Sequence, residues 1–307
     1  MPRQSDFKNE FSWSKSRDAL FKRCLRAYYY HYYGSWNGWR RDSPPDVKEL
    51  YIMKNLQTVP TWTGGVVHDV VAEVLRGIRK GQQLSIDQAV KMAKQRAQHD
   101  FEDSRSSAYR SRPKRLCGLQ DHYHGVPITD ESLEEALATM ELCIRRLYST
   151  PTYNRMLELE PDKIIESEKL QSMTLSGCKV WVKPDLLVHD LDDRVMVVDW
   201  KTGASSASEE TGLQLAIYAI YAVRNYGFSP EELSGVEVNL RSGEEHHYSL
   251  DAQTLEGARE YIESSASRMQ ALLHDREENV ALLRDFPKIE DLQLCQDCRF
   301  RRACNRS

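Results

Sequence analysis

The chain has 307 residues with 42 basic and 46 acidic side chains, a formal charge of -4, and is 40% hydrophobic and 29% charged. That length supports one large or two modest domains with a core of their own, and the composition excludes wholesale disorder, collagen-like repeats and coiled coils. No run approaches about 18 apolar residues and the start MPRQSDFKNEF lacks an apolar segment, which predicts neither a membrane span nor a secretory signal. The expected setting is cytoplasmic, with the seven cysteines reduced. An odd count there points to metal ligation or buried thiols rather than to a disulfide framework.

Charge is uneven along the chain. Residues 1–45 form a basic N-terminal segment with nine Lys/Arg against four acids, and two further basic runs follow: Arg105, Arg110, Arg112, Lys114 and Arg115, then Arg299, Arg301, Arg302 and Arg306. A single run is usually a solvated face; three on an acidic chain favour an anionic partner. Ser12 or Ser14 is the expected cap of a helix running through Leu20, Phe21 and Cys24 into the aromatic cluster Tyr28 to Tyr33 and stopping at Gly34. A second helix is expected from near Gly64 and Gly65. Helices at 85–103 and 130–148 frame a helical insertion, 85–150, whose middle reads as a long loop or broken helix. From about 162 the period changes. IIESEKL, KVWVKPDLLVHD and RVMVVDW read as three strands of a core sheet within 160–250. Helices at 211–225 and 251–275, with VEVNL and EHHYSL as strands between them, complete one compact α/β domain over 1–307.

Asp199-Trp200-Lys201 ends an apolar strand, so alternation puts Asp199 and Lys201 on one face. Pro184-Asp185 interrupts the preceding strand, and LDDR at 191–194 makes the connection a hairpin. Centred on residue 192, the pairing sum is 384 and Asp185 lies opposite Asp199; a two-residue turn at Asp192 and Asp193 would send them to opposite faces. Close carboxylates repel unless a cation neutralises them, and hard oxygen ligands suit Mg²⁺ or Mn²⁺. Such an ion activates water and stabilises charge on phosphate, while a nearby lysine positions the nucleophile or offsets negative charge. A surface acid hairpin with an Asp–Lys pair is the plainer reading. His68 sits on an apolar helical stripe with Val71, Ala72 and Leu75, where a hydrogen-bonded core histidine is the commoner occupant. Gln214 and Tyr218 are i and i+4 on the helix after Lys201, with Tyr221 completing their stripe.

The ordered series Gly64-Gly65-x-x-His68, Pro184-Asp185, Asp199-x-Lys201 and Gln214-x-x-x-Tyr218 resembles the PD-(D/E)XK nuclease superfamily, in particular the branch of the RecB and AddB nuclease domains and the Cas4 exonucleases. The resemblance implies a mixed central sheet flanked by helices. It also implies that His68, Asp185, Asp199 and the carbonyl of Trp200 bind a divalent metal, that Lys201 is catalytic, and that Gln214 and Tyr218 support the site and contact DNA. The family usually has glycine two residues before its aspartate, where this chain has Lys183. Glu166 or Glu168 on the first strand is a further approach to the metal, although a solvated strand face suits either.

At the C-terminus, within 290–307, Cys295-x-x-Cys298-x5-Cys304 is a three-thiolate cluster that suits zinc or iron-sulfur equally, with Cys24 the candidate fourth ligand. One upstream cysteine plus this triplet resembles the iron-sulfur staple of the same nucleases, which implies a 4Fe-4S cluster joining the chain ends. Cys117, Cys143 and Cys178 read as buried thiols, with a small site of Cys117, His122 and His124 the remote alternative. Tyr28, Tyr29, Tyr30, Tyr32, Tyr33, Trp36 and Trp39 beside Arg23, Arg26, Arg40 and Arg41 offer base stacking and phosphate contacts, about half of the rings being structural. The expected function is a metal-dependent DNA exonuclease acting on single strands or DNA ends; the alternative is a catalytically silent DNA-binding scaffold. No G-x-x-x-x-G-K-[ST] occurs, so unwinding falls to a helicase or other repair, CRISPR or defence protein acting in trans.

Overall fold

The computed structural model describes residues 8–190, 194–204 and 208–305; Arg3, Asp192, Asp193 and Arg306 lie outside them. After a short strand, β1 (Ser12–Trp13), Ser14 caps α1 (Lys15–Arg23) by accepting from the Arg17 amide. The helix does not continue to Gly34 as the pattern predicts. Cys24 adopts extended backbone (φ -165°, ψ 117°) and separates α1 from α2 (Leu25–Tyr29), which passes into one π-helical turn, Tyr30–Gly34. An unanticipated helix, α3 (Pro45–Lys54), starts on consecutive prolines. Next, α4 (Val59–Arg79) starts five residues before Gly64, because Thr58 and Thr61 form a capping box and Pro60 stands in the first turn.

In the insertion, α5 (Ile86–Arg105) and α7 (Asp130–Leu147) match the predicted helices to within two residues, and the broken middle contains a 3₁₀ turn (Ala108–Arg110) and α6 (Gln120–His124). The chain continues through α8 (Pro151–Leu157), β2 (Ile164–Ser167), β3 (Gln171–Leu175), β4 (Cys178–Val182), β5 (Leu186–His189), β6 (Val195–Lys201) and α9 (Glu209–Tyr226). It ends with β7 (Leu233–Asn239), β8 (Glu245–Ser249), α10 (Ala252–Ala271) and α11 (Gln293–Gln296). Five strands form a mixed sheet in the order β2-β5-β6-β7-β8, antiparallel except for β6 beside β7. The run predicted as one interrupted strand is two strands in two sheets. Pro184 offers no amide to a ladder, and beyond it the chain leaves the three-stranded sheet β1-β4-β3 for the five-stranded one.

Two compact units result, one of Met1–Leu56, Thr174–Val180 and Tyr261–Ser307, the other of Gln57–Met173 and Trp181–Glu260. In the second, α4, α5 and α7 pack with the sheet through Val67, Val71, Leu75, Ile144, Val198 and Trp200, all buried. The first contains the aromatic cluster. There Arg17 is 3% exposed, stacked on Phe11, Tyr28, Tyr32 and Tyr33 and donating to the hydroxyls of Tyr28 and Tyr33. These rings therefore serve the interior of the unit, while Trp39 stays exposed. Among the described residues, no helix is long and apolar enough to cross a membrane.

Candidate functional site

The β5–β6 ladder pairs Leu186 with Val198 and His189 with Val195, which is the pairing sum of 384. Asp185, immediately before β5, and Asp199 of β6 continue that sum, and they are 6% and 1% exposed. The backbone locks Asp185 in place, since its Oδ2 accepts from the Trp200 amide at 2.8 Å. Two residues on, the Lys201 ammonium lies 2.6 Å from Asp199 Oδ2, so the acid and the amine share a face as alternation requires. Lys201 also donates to Gln214 Oε1 at 3.3 Å, and Gln214 Nε2 donates to the Tyr218 hydroxyl at 2.7 Å. Asp199, Lys201, Gln214 and Tyr218 thus form one polar chain from β6 to α9. Tyr221 leaves the stripe that was expected to include it: its hydroxyl donates to Glu166, which also accepts from Tyr226 and Gln171.

His68 is a polar-boundary residue rather than a core histidine. Its Nδ1 is 2.8 Å from Glu168 Oε1 and 3.7 Å from Asp185 Oδ1, and these three residues offer ligand atoms all within 4.8 Å of one another. Glu168 reaches this point because β2 ends at Ser167 and Glu168 turns into left-handed backbone (φ +51°), its amide held by the Pro184 carbonyl at 2.9 Å. A non-glycine residue there carries a strain of about 1 kcal/mol. Lys183, where glycine was expected, forms an ion pair with Glu168 Oε2. Gly64 has a mechanical role: a Cβ there would stand 2.9 Å from Thr202 Oγ1, just past the end of β6, whereas one on Gly65 meets only Gln57 at 3.8 Å. A Gly64→Val substitution is therefore expected to displace His68 and weaken Mn²⁺ binding at least tenfold by calorimetry, with Gly65→Ala close to neutral.

Burial raises the Asp185 carboxyl to about 7, opposed by His68 and reinforced by Asp199 and Glu168. Asp199 is also raised, by burial and by Glu237, although Lys201 and His68 act against it. Burial would lower His68, yet Asp185 and Glu168 lift it to about 9. The buried oxygens Asp199 Oδ2 and Glu168 Oε2 each face a lysine, Lys201 and Lys183 respectively. Crowded carboxylates, Asp185 and Asp199 raised by burial and Glu168 lowered, against burial, by His68 and Lys183, beside an imidazole are a donor set suited to a hard divalent cation. Glu237, paired with Asp199 across the parallel ladder and 1% exposed, adds to this negative field.

A family model for the PD-(D/E)XK nuclease superfamily matches residues 12–305. The chain belongs to that superfamily. Its mixed α/β architecture accords with the family fold, and the family is one of nucleases that use divalent metals and act on DNA. No curated protein matches the chain.

In the first unit, Cys24, Cys295, Cys298 and Cys304 line one small pocket together with Ala27, Tyr30 and Phe300. All seven cysteines are free thiols. Burial pushes the Cys298 and Cys304 thiols upward. No three of the four sulfurs lie within 4.8 Å of one another. Cys117 and Cys143 are buried, their thiols pushed up to about 12 and about 11, whereas Cys178 is only half-buried. Cys117, His122 and His124 do not converge; His122 Nδ1 bonds the Ser104 hydroxyl at 2.8 Å.

Proposed function

We propose that this chain is a Mg²⁺- or Mn²⁺-dependent deoxyribonuclease of the RecB, AddB and Cas4 branch, an exonuclease acting on single-stranded DNA or DNA ends. The convergence of His68, Glu168 and Asp185 beside the Asp199–Lys201 pair carries the reading. His68, Asp185, Asp199 and the Trp200 carbonyl, joined by Glu168, would hold the ion. When bound, the ion supplies a water of lowered pKa and neutralises charge on the phosphate. The chain's own residues do the rest. The Trp200 amide fixes the Asp185 carboxylate, Lys201 presents an ammonium beside Asp199, and Gln214, oriented by Tyr218, restrains that ammonium. Asp199 holds the Lys201 ammonium close, so the amine offsets developing negative charge.

The test is incubation of purified protein with end-labelled single- and double-stranded DNA and Mg²⁺ or Mn²⁺; an intact, folded protein that cleaves neither would leave the DNA-binding scaffold as the better reading. Metal binding should also depend on pH in a defined direction. Below about 9 an ion must displace the His68 proton, and below about 7 the Asp185 proton as well. Both pKa values are raised, so the protons are held at low pH and lost as pH rises, and affinity climbs with pH. Mn²⁺ affinity is expected to rise about tenfold per unit between pH 7 and 9 and more steeply below 7. The Mn²⁺-induced rise in melting temperature at several pH values reads this out, and a pH-independent shift would count against these ligands.

For the second centre we propose a 4Fe-4S cluster. The reading rests on the resemblance of one upstream cysteine plus Cys295-x-x-Cys298-x5-Cys304 to the iron-sulfur staple, and on the four thiols lining one cavity. Arg26, Arg301 and Lys288 in the cavity wall would balance the charge of such a cluster. A cytoplasmic setting keeps such thiols reduced, and strand separation would come from a helicase or other repair, CRISPR or defence protein in trans.

A further inference from the structure

The basic run of the insertion has no part in either centre. Arg105, Arg112, Lys114 and Arg115 are exposed, and none of them has an ion-pair partner among the described residues. From Ser104 to Gln120 there is no acid. The segment is nonetheless ordered. Tyr109 is 2% exposed and anchors its middle, and the Arg112 carbonyl accepts from the amides of Arg115 and Leu116 at 2.9 and 3.0 Å. Its neck is closed where the Leu119 amide donates to Ser104 Oγ at 2.7 Å. Gln57, two residues before α4, bonds this neck twice, its amide to the Gly118 carbonyl at 2.9 Å and its carbonyl to the Gln120 amide at 2.8 Å. His68 follows nine residues after the start of α4, about 14 Å along the helix axis. That equals the rise of about four base pairs.

We infer that Arg105, Arg112, Lys114 and Arg115 bind the phosphate backbone of double-stranded DNA and hold the duplex part of the substrate beside the metal site. This rests on the nuclease reading. Four exposed cations on a stretch that carries no acid fit a polyanion of regular charge spacing. The only aromatic ring between Arg105 and Leu116 is the buried Tyr109, so the segment lacks the stacking platform that single strands require. Contacts of this kind carry no base identity, and the grip is independent of sequence.

The experiment measures anisotropy of a labelled 20-base-pair duplex and a 20-nucleotide single strand against salt concentration in EDTA, with the full chain. The compared proteins are the wild type, the fourfold variant Arg105→Gln, Arg112→Gln, Lys114→Gln and Arg115→Gln, and a charge-matched variant, Arg76→Gln, Arg79→Gln, Lys80→Gln and Lys91→Gln. Both variants are checked for a wild-type melting curve. The expected result is a fall of about 3 to 4 in the slope of log affinity against log salt for the duplex in the first variant alone. Equal loss in the charge-matched variant, an unchanged slope, or a matching loss with the single strand would overturn the inference. If the wild type binds neither DNA, the nuclease reading itself fails, a distinct result.

Discussion

Lys201→Ala is expected to slow single-turnover DNA cleavage at saturating Mn²⁺ by about 10²–10³-fold, with DNA affinity and the Mn²⁺-induced melting shift close to wild type. The expectation follows from where the ammonium sits. It is the last residue of β6, 2.6 Å from a carboxylate that is 1% exposed, and it is restrained from the other side by Gln214. Truncation removes a cation placed where a scissile phosphate would meet the carboxylates, but it removes none of the five proposed ligands. Asp199 then loses its partner in the metal-free protein, whose stability should fall; an ion bound at Asp199 restores the missing positive charge and with it the melting temperature. Lys201→Arg keeps the charge but replaces a compact ammonium by a planar fork that cannot occupy the same gap, so partial activity is expected. Gln214→Ala should give a smaller loss, about tenfold in kcat with KM little changed, because it loosens the lysine without removing it. Equal cleavage by wild type and Lys201→Ala would sink the assignment of this amine to the chemistry.

Much of this site could be read from residue order because it depends on short-range periodicities. A hairpin centred on 192 fixes the sum 384, and the ladder has that sum. Alternation along β6 then determines which face Asp199 and Lys201 share, and helical spacing puts Gln214 one turn from Tyr218. Glu168 was left unresolved for a definite reason. Glu166 and Glu168 are two apart and belong on one face of a regular strand, but β2 carries a register shift and Glu168 a positive φ, so the two diverge to different partners. No local pattern announces a left-handed glutamate. The break at Cys24 is hidden similarly, since its neighbours Leu25 and Arg26 are good helix formers and only packing within the first unit opposes continuity. Pro184 did announce an interruption. That it separates two sheets is a matter of long-range pairing, about which sequence spacing is silent.

Cys24→Ser should have the largest effect on stability of any single substitution in the first unit. The proposed cluster would join Cys24 to Cys295 across 271 positions, and in the loop-closure description a link over that length removes about 5 to 6 kcal/mol of unfolded-state entropy. That is comparable with the whole stability of a typical domain, about 5 to 15 kcal/mol. It is an upper value, because the compact unfolded chain already restricts the loop. The extended backbone of Cys24 between α1 and α2 has no capping hydrogen bond of its own side chain, so serine gains nothing local to offset the loss. The expected result is a protein purified anaerobically with little iron or sulfide, rapid proteolysis and a melting temperature lowered by many degrees. Cys178→Ser, altering a half-buried thiol outside the cavity lining, should keep full iron content and serves as the control. Wild-type protein should carry about four iron atoms and four sulfides per chain. Stoichiometric zinc with no iron, or full iron retention in Cys24→Ser, would rule out a cluster held by these four cysteines. Because His68, Glu168, Asp185, Asp199 and Lys201 all belong to the second unit, the variant's loss of iron need not abolish its Mn²⁺ binding. Measuring both on the same preparation therefore separates a structural cluster from a catalytic one.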